Sequence, residues 1–94
     1  MRFEGRVAIV TGAAKGIGAG CARVFCQEGG LVALLDIDEP AGKSLAAELS
    51  RRGPGRAVFW KCDVGDHQQI ATAIDAVMTE FGRLDCLINN AGVH

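Results

Sequence analysis

Apolar residues fall along this chain in two alternating rhythms. Short, nearly continuous apolar runs stand at Arg6 to Thr11, Leu31 to Leu35, Ala57 to Lys61 and Cys86 to Asn89. Their length and the glycine or polar residues that bound them predict strands. The lack of polar alternation within them fits a parallel sheet covered on both faces. Between these runs lie longer segments with helical spacing. Gly16 to Glu28 offers Ile17, Cys21, Ala22, Val24 and Phe25 as one inward stripe, and Gly29-Gly30 stops it. A second helix begins after Asp38 as N-cap, with Pro40 in the first turn where a missing N–H costs nothing. It carries a narrow stripe of Ala41, Leu45, Ala46 and Leu49. The third helix has the clearest amphipathic pattern: Ile70, Ala73, Ile74, Val77, Met78 and Phe81 recur at helical spacing before Gly82. Asp66 caps it, and Gln69 three residues on makes a capping-box-like arrangement.

The order β-α-β-α-β-α-β predicts an α/β fold of parallel strands joined by right-handed crossovers. The expected architecture is a Rossmann-type, doubly wound parallel sheet, truncated after the fourth strand. The chain has no internal repeat, low-complexity tract or linker, so residues 1–94 read as one unit, a Rossmann half-domain. Arg51-Arg52-Gly53-Pro54-Gly55 reads as a surface loop with solvated charges.

Composition removes several classes of function. With 49% hydrophobic and 22% charged residues, the chain is not of the disordered type. A net charge of −1 gives no basic excess for nucleic acid, and no basic amphipathic stretch suggests a membrane surface. The longest apolar run, Leu31 to Leu35, is far too short to span a bilayer. Met1 to Arg6 carries charge but no long apolar region, so a signal peptide is not expected and a cytoplasmic location is. Cys21, Cys26, Cys62 and Cys86 form no C-x-x-C pair, and His67 and His94 complete no zinc pattern. Buried free thiols and no metal are the expectation.

Chemistry gathers at the strand ends. Thr11-Gly12-Ala13-Ala14-Lys15-Gly16-Ile17-Gly18 joins the first strand to the first helix. Such a turn brings backbone N–H donors and the positive end of a helix dipole to one point, which attracts phosphate. Gly12 allows a sharp turn, and Gly16 and Gly18 remove side chains where backbone must approach pyrophosphate or a neighbouring strand. Asp36 ends the second strand beside this turn, where a carboxylate can accept both hydroxyls of an adenosine ribose and repel a 2′-phosphate; it can also serve as an ordinary capping aspartate. Lys15 can face a 2′-phosphate, pair with pyrophosphate or remain a solvated loop charge. At the third strand end, Asp63 can accept from an adenine amino group while Val64 packs on the ring. Asn89-Asn90-Ala91-Gly92, after the fourth, can tie loops together or contact ribose. All four strand ends thus deliver polar or glycine residues to one crevice, where open α/β sheets bind ligands.

These motifs resemble the short-chain dehydrogenase/reductase family over essentially the whole chain. Thr11 to Gly18 matches its T-G-x-x-x-G-x-G, Asp36 its NAD-selecting acidic position, Cys62-Asp63-Val64 its D-V, and Asn89-Asn90-Ala91-Gly92 its N-N-A-G. The resemblance implies NAD(P)-dependent, reversible hydride transfer between an alcohol and a ketone, with NAD preferred over NADP. It implies cofactor contacts at Gly12, Lys15, Gly16, Ile17, Gly18, Asp36, Asp63, Val64, Asn89, Asn90, Ala91 and Gly92. It further implies a small hydroxyl- or carbonyl-bearing substrate and a homo-oligomeric full-length protein. Phe81 to Gly92 resembles members acting on hydroxysteroids, sugars and 3-oxoacyl thioesters.

The family's catalytic Y-x-x-x-K and helper serine have no match. The chain contains no tyrosine, Ser44 and Ser50 lie in the second helix region, and Lys15, Lys43 and Lys61 follow no tyrosine. No catalytic residue is therefore assigned. The expectation is the cofactor half of a longer dehydrogenase, without turnover of its own because no base faces a substrate hydroxyl. The fourth strand, central in the family sheet, is expected at an edge. Two alternatives stand beside this: a non-catalytic nucleotide- or partner-binding fragment or isoform, and an NADPH-dependent 3-oxoacyl carrier-protein reductase.

Overall fold

In a computed structural model, residues 2–14 and 16–90 are described. Four strands, β1 (Val7–Thr11), β2 (Leu31–Asp36), β3 (Arg56–Lys61) and β4 (Cys86–Asn89), alternate with helices α1 (Gly16–Gln27), α2 (Glu39–Arg52) and α3 (His67–Phe81). The strands form one parallel sheet in the order β3-β2-β1-β4. The predicted α/β sheet is thus observed, and β4 is an edge strand among the described residues.

Period-two alternation divides the strands between two cores. Ala8, Val10, Val32, Leu34 and Ala57 face Ala22, Phe25 and Cys26 of α1 and Leu45, Ala46 and Leu49 of α2. Val7, Ile9, Ala33 and Leu35 face the other way, onto Ala73 and Val77 of α3. The central strands are buried on both faces, which is why their sequences are apolar without alternation. Helices α1 and α2 therefore share one face while α3 crosses to the other. The chain changes direction between β1 and β4, and this reversal leaves a crevice at their carboxyl ends.

The predicted helix ends hold. Asp38 accepts from Ala41 N–H at 3.2 Å, and Asp66 accepts from Gln68 and Gln69 N–H at 3.0 and 3.3 Å. Gly82 ends α3 in the left-handed region. The capping box differs from its expected form: Gln69 Oε1 accepts from Asp63 N–H at 2.8 Å instead of from the cap residue's own N–H.

Two expectations require correction. The inward stripe of α1 is Gly18, Ala22, Phe25 and Cys26, while Ile17 is 76% and Val24 54% exposed. The helix is turned by about one residue because Gly18, not Ile17, meets the sheet. A Cβ on Gly18 would run into the Gly12 carbonyl oxygen and stand 3.1 Å from Asn90 Nδ2, so the smallest residue faces the closest backbone. The cysteines also divide. Cys26 and Cys62 are buried, Cys21 is half-buried, and Cys86 is exposed because it lies on the edge strand. Burial pushes the Cys26 thiol up to about 11. It also raises Cys62, helped by the charges of Asp63 and Asp66. Burial of this kind favours the protonated, less reactive thiol at both positions.

Candidate functional site

Parallel register makes the strand ends level. Thr11 stands beside Leu35 on one side and Asn89 on the other, and Asp36 stands beside Lys61. The loops that follow therefore leave the sheet at one edge.

The glycine-rich turn is laced to the end of β2. Gly12 and Ala13 N–H donate to the Leu35 carbonyl at 2.9 and 3.4 Å. Ala14 N–H donates to Asp36 Oδ2 at 3.0 Å, and Asp36 Oδ1 accepts from Asp38 N–H at 2.9 Å. Gly12 and Gly16 have φ of +61° and +64°, a backbone region that glycine adopts without strain. Among the described residues, nothing beyond its chain neighbours and its own helix backbone lies within 4 Å of where a Cβ on Gly16 would stand. Gly18 instead meets protein, as described above. The two glycines thus have separate duties: one leaves space outside, the other closes the helix onto the strand. Lys15, which precedes α1 in the sequence, lies outside the described residues; an ammonium group has no lone pair to cap first-turn N–H donors.

On the other side of the crevice, Thr11 joins β1 to the end of β4. Its side chain is buried, at 2% exposure. Thr11 Oγ1 donates to Asn89 Oδ1 at 2.9 Å, with the Ile88 carbonyl at 3.4 Å, and accepts from Asn90 N–H at 3.0 Å. Asn90 Nδ2 donates to the Gly12 carbonyl at 3.4 Å. Of the two duties open to these asparagines, the geometry displays the tying of loops. Ala91 and Gly92 lie outside the described residues.

Asp63 and Val64 sit one strand further out. The chain passes from β3 to them through Cys62 N–H, which donates to the Asp36 carbonyl at 3.0 Å. Asp63 Oδ1 accepts from Gly65 N–H at 2.9 Å, and Val64 is half-buried against the α3-side core. Gly12, Gly18 and Asn90 therefore meet at one place, Asn89 is tied to them through Thr11, and Asp36 is bonded to the turn. Among the described residues, Asp63 and Val64 are linked to the group through the backbone at Cys62. Ile17 faces a different place: a groove of about 830 Å³ between α1 and β4, lined also by Phe3, Cys21, Val24, Cys86 and Ile88. This groove lies beside the strands, not at their ends.

Three contributors escape the motif reading. Ala14 acts through its backbone N–H, which no side-chain pattern announces. Gln69 clamps the Asp63 backbone from α3. Asp85 anchors the opposite end of β4: Oδ2 accepts from Val7 N–H at 2.8 Å, and Arg83 and Arg6 lie against it. The Arg83 hydrogen bond and the Val7 N–H hold its carboxyl down at about 2. The signal for Asp85 was available as a carboxylate directly before an apolar strand and two residues after an arginine.

The short chain dehydrogenase family model matches residues 6–94. The chain belongs to that family. It is 47% identical over 93 residues to L-fucose dehydrogenase of Oryctolagus cuniculus, covering 99% of this chain and 31% of that protein. Among solved structures, a metagenomic short-chain oxidoreductase in complex with NADP aligns with a TM-score of 0.92 at 36% identity, over 99% of this chain and 42% of that one. An NAD+-bound xylitol dehydrogenase aligns with a TM-score of 0.91 at 34% identity, over 99% of this chain and 35% of that one. The chain thus spans about a third of the length of the curated relatives it matches. The likeness extends to short-chain dehydrogenases holding either form of the dinucleotide. Among the described residues, no helix is long and apolar enough to cross a membrane.

Proposed function

We propose that this chain is the dinucleotide-binding part of an NAD-dependent short-chain dehydrogenase acting on a small alcohol or ketone. The observation that carries the reading is the carboxylate of Asp36, held at the end of β2 against the N–H of Ala14 in the glycine-rich turn. Acid at the end of the second strand is where an adenosine ribose is gripped, and the turn is where pyrophosphate meets backbone. The residues fit such a group: Gly16 leaves open space, and Asp36 retains acceptor capacity on both oxygens after its two backbone bonds. In this reading Gly12, Lys15, Gly16, Ile17 and Gly18 hold the pyrophosphate, and Asp36 holds the ribose. Asp63 and Val64 border adenine, and Asn89, Asn90, Ala91 and Gly92 close the far side.

When bound, NAD supplies the hydride acceptor or donor. The chain's own residues bind and orient it, and none of them offers the tyrosine base of the family, so substrate activation belongs to the longer protein. Sugars and polyols are the favoured substrate class, because the relatives include an L-fucose and a xylitol dehydrogenase. A cytoplasmic, homo-oligomeric full-length enzyme completes the reading.

The competing reading is an NADPH-dependent reductase. It draws on Lys61, an exposed cation in register beside Asp36. Calorimetric titration with NADH and NADPH decides between them. NADH should bind at least about tenfold more tightly, a difference of about 1.4 kcal/mol. Equal or tighter NADPH binding would overturn the ribose assignment, and absence of binding by either would overturn the nucleotide reading.

A further inference from the structure

Asp36 has two partners before any ligand arrives, and they lie in different loops. One carboxylate oxygen accepts from Ala14 N–H in the turn after β1, and the other from Asp38 N–H at the start of α2. The preceding two residues of the turn, Gly12 and Ala13, already donate to the Leu35 carbonyl. Three consecutive N–H groups are thus tied to the end of β2, and only the third relies on a side chain. Beyond Ala14 the turn leads to Gly16, at positive φ, where a Cβ would meet open space among the described residues. A carboxylate offers about four lone-pair positions. Two hold backbone here, which leaves two for ribose hydroxyls without competition.

We infer that Asp36 is a positioning residue for the glycine-rich turn as well as a ribose ligand, so that cofactor preference cannot be altered at Asp36 without loosening the grip on pyrophosphate. The inference rests on the nucleotide reading for its ligand but on the Ala14 bond for its structural half. Removing the carboxylate takes the acceptor from Ala14 N–H and frees the turn. An asparagine in its place keeps one carbonyl oxygen but turns an NH₂ toward one of the two donors, so it restores only half of the arrangement.

The test uses the 94-residue chain, its Asp36→Ala and Asp36→Asn variants, NADH, and an NADH analogue lacking the adenosine 2′- and 3′-hydroxyls. Backbone amide exchange at Ala14 is followed without ligand, with Ile9 and Ala33 in the sheet as internal controls. Asp36→Ala should speed exchange at Ala14 by about tenfold or more while the two sheet amides keep their protection. Asp36→Asn, the variant closest in shape, should lie between. The dideoxy analogue, which makes no ribose contact, should still bind several-fold more weakly to Asp36→Ala than to the parent chain. Unchanged exchange at Ala14, or equal affinity of the analogue for parent and variant, would overturn the inference. If the parent chain binds NADH and the analogue equally while Ala14 still responds, the ribose assignment falls and the positioning role stands.

Discussion

The two edges of the sheet are held in opposite ways. Strand β3 is fixed by apolar burial on both faces: Ala57 and Phe59 pack into the α1/α2 core, and Val58 and Trp60 into the α3 core. Trp60 meets Phe81 edge-on at 6.5 Å between ring centres. Strand β4 buries little. Cys86, Leu87 and Asn89 are exposed, Leu87 at 50%, and Ile88 alone reaches a core. Its position comes from the ladder to β1 and from polar clasps at each end, Asp85 on Val7 and Thr11 on Asn89 and Asn90. Apolar burial is non-directional and sets which layers meet. Hydrogen bonds set register. The edge that carries Asn89 and Asn90 is the one held by directional bonds.

Mutations can separate these modes. Leu49→Ala, in the core that α2 builds over β3, should cost about 2–5 kcal/mol by urea denaturation. Most small domains have only about 5–15 kcal/mol in total, so a midpoint shift of a few per cent would break the comparison. Thr11→Val keeps shape but strips the acceptor from the part-buried Asn90 N–H, at about 1 kcal/mol or somewhat more. Its mark should be local, with faster amide exchange at Leu87 and Ile88 than at Val32 and Leu34; uniform loss across the sheet would count against a clasp. Asp85→Asn is the subtlest. The folded carboxyl at about 2 lies below its unfolded value near 3.9, so its contribution is complete above about pH 4 and is lost as pH falls toward 2. Melting temperature against pH should fall less steeply over that window in the variant, and parallel curves would remove Asp85 from the account.

Most of the fold could be read from the residues, because strand runs and helix caps are local signals. Asp38, Asp66 and Gly82 act where their types predict. The facing of α1 could not be read in the same way. Hydropathy favours Ile17, but the sheet admits only Gly18, a matter of distance between backbones far apart in sequence. In α3 the strongest pattern gave a wide stripe, yet only Ala73 and Val77 are buried and Met78 is 43% exposed, because hydropathy reports which residues favour burial and not how much surface covers them. The candidate site divides similarly. Gly12, Asp36 and Asn90 were legible by type and place. The Ala14 N–H on Asp36 was not, since a backbone donor has no sequence signature.

The pairing of β1 with β4 has a temporal consequence. The bonds from Val7 to Asp85 and from Thr11 to Asn89 close loops of 78 residues, whereas β1 and β2 meet across one helix. Closing long loops costs entropy before any contact rewards it, so β1, β2 and β3 can assemble while β4 is still unplaced. During synthesis the chain would carry an open β1 edge until Asn90 has emerged. The turn that leaves β1 would then acquire its tie to Asp36 first and its tie to Asn90 last.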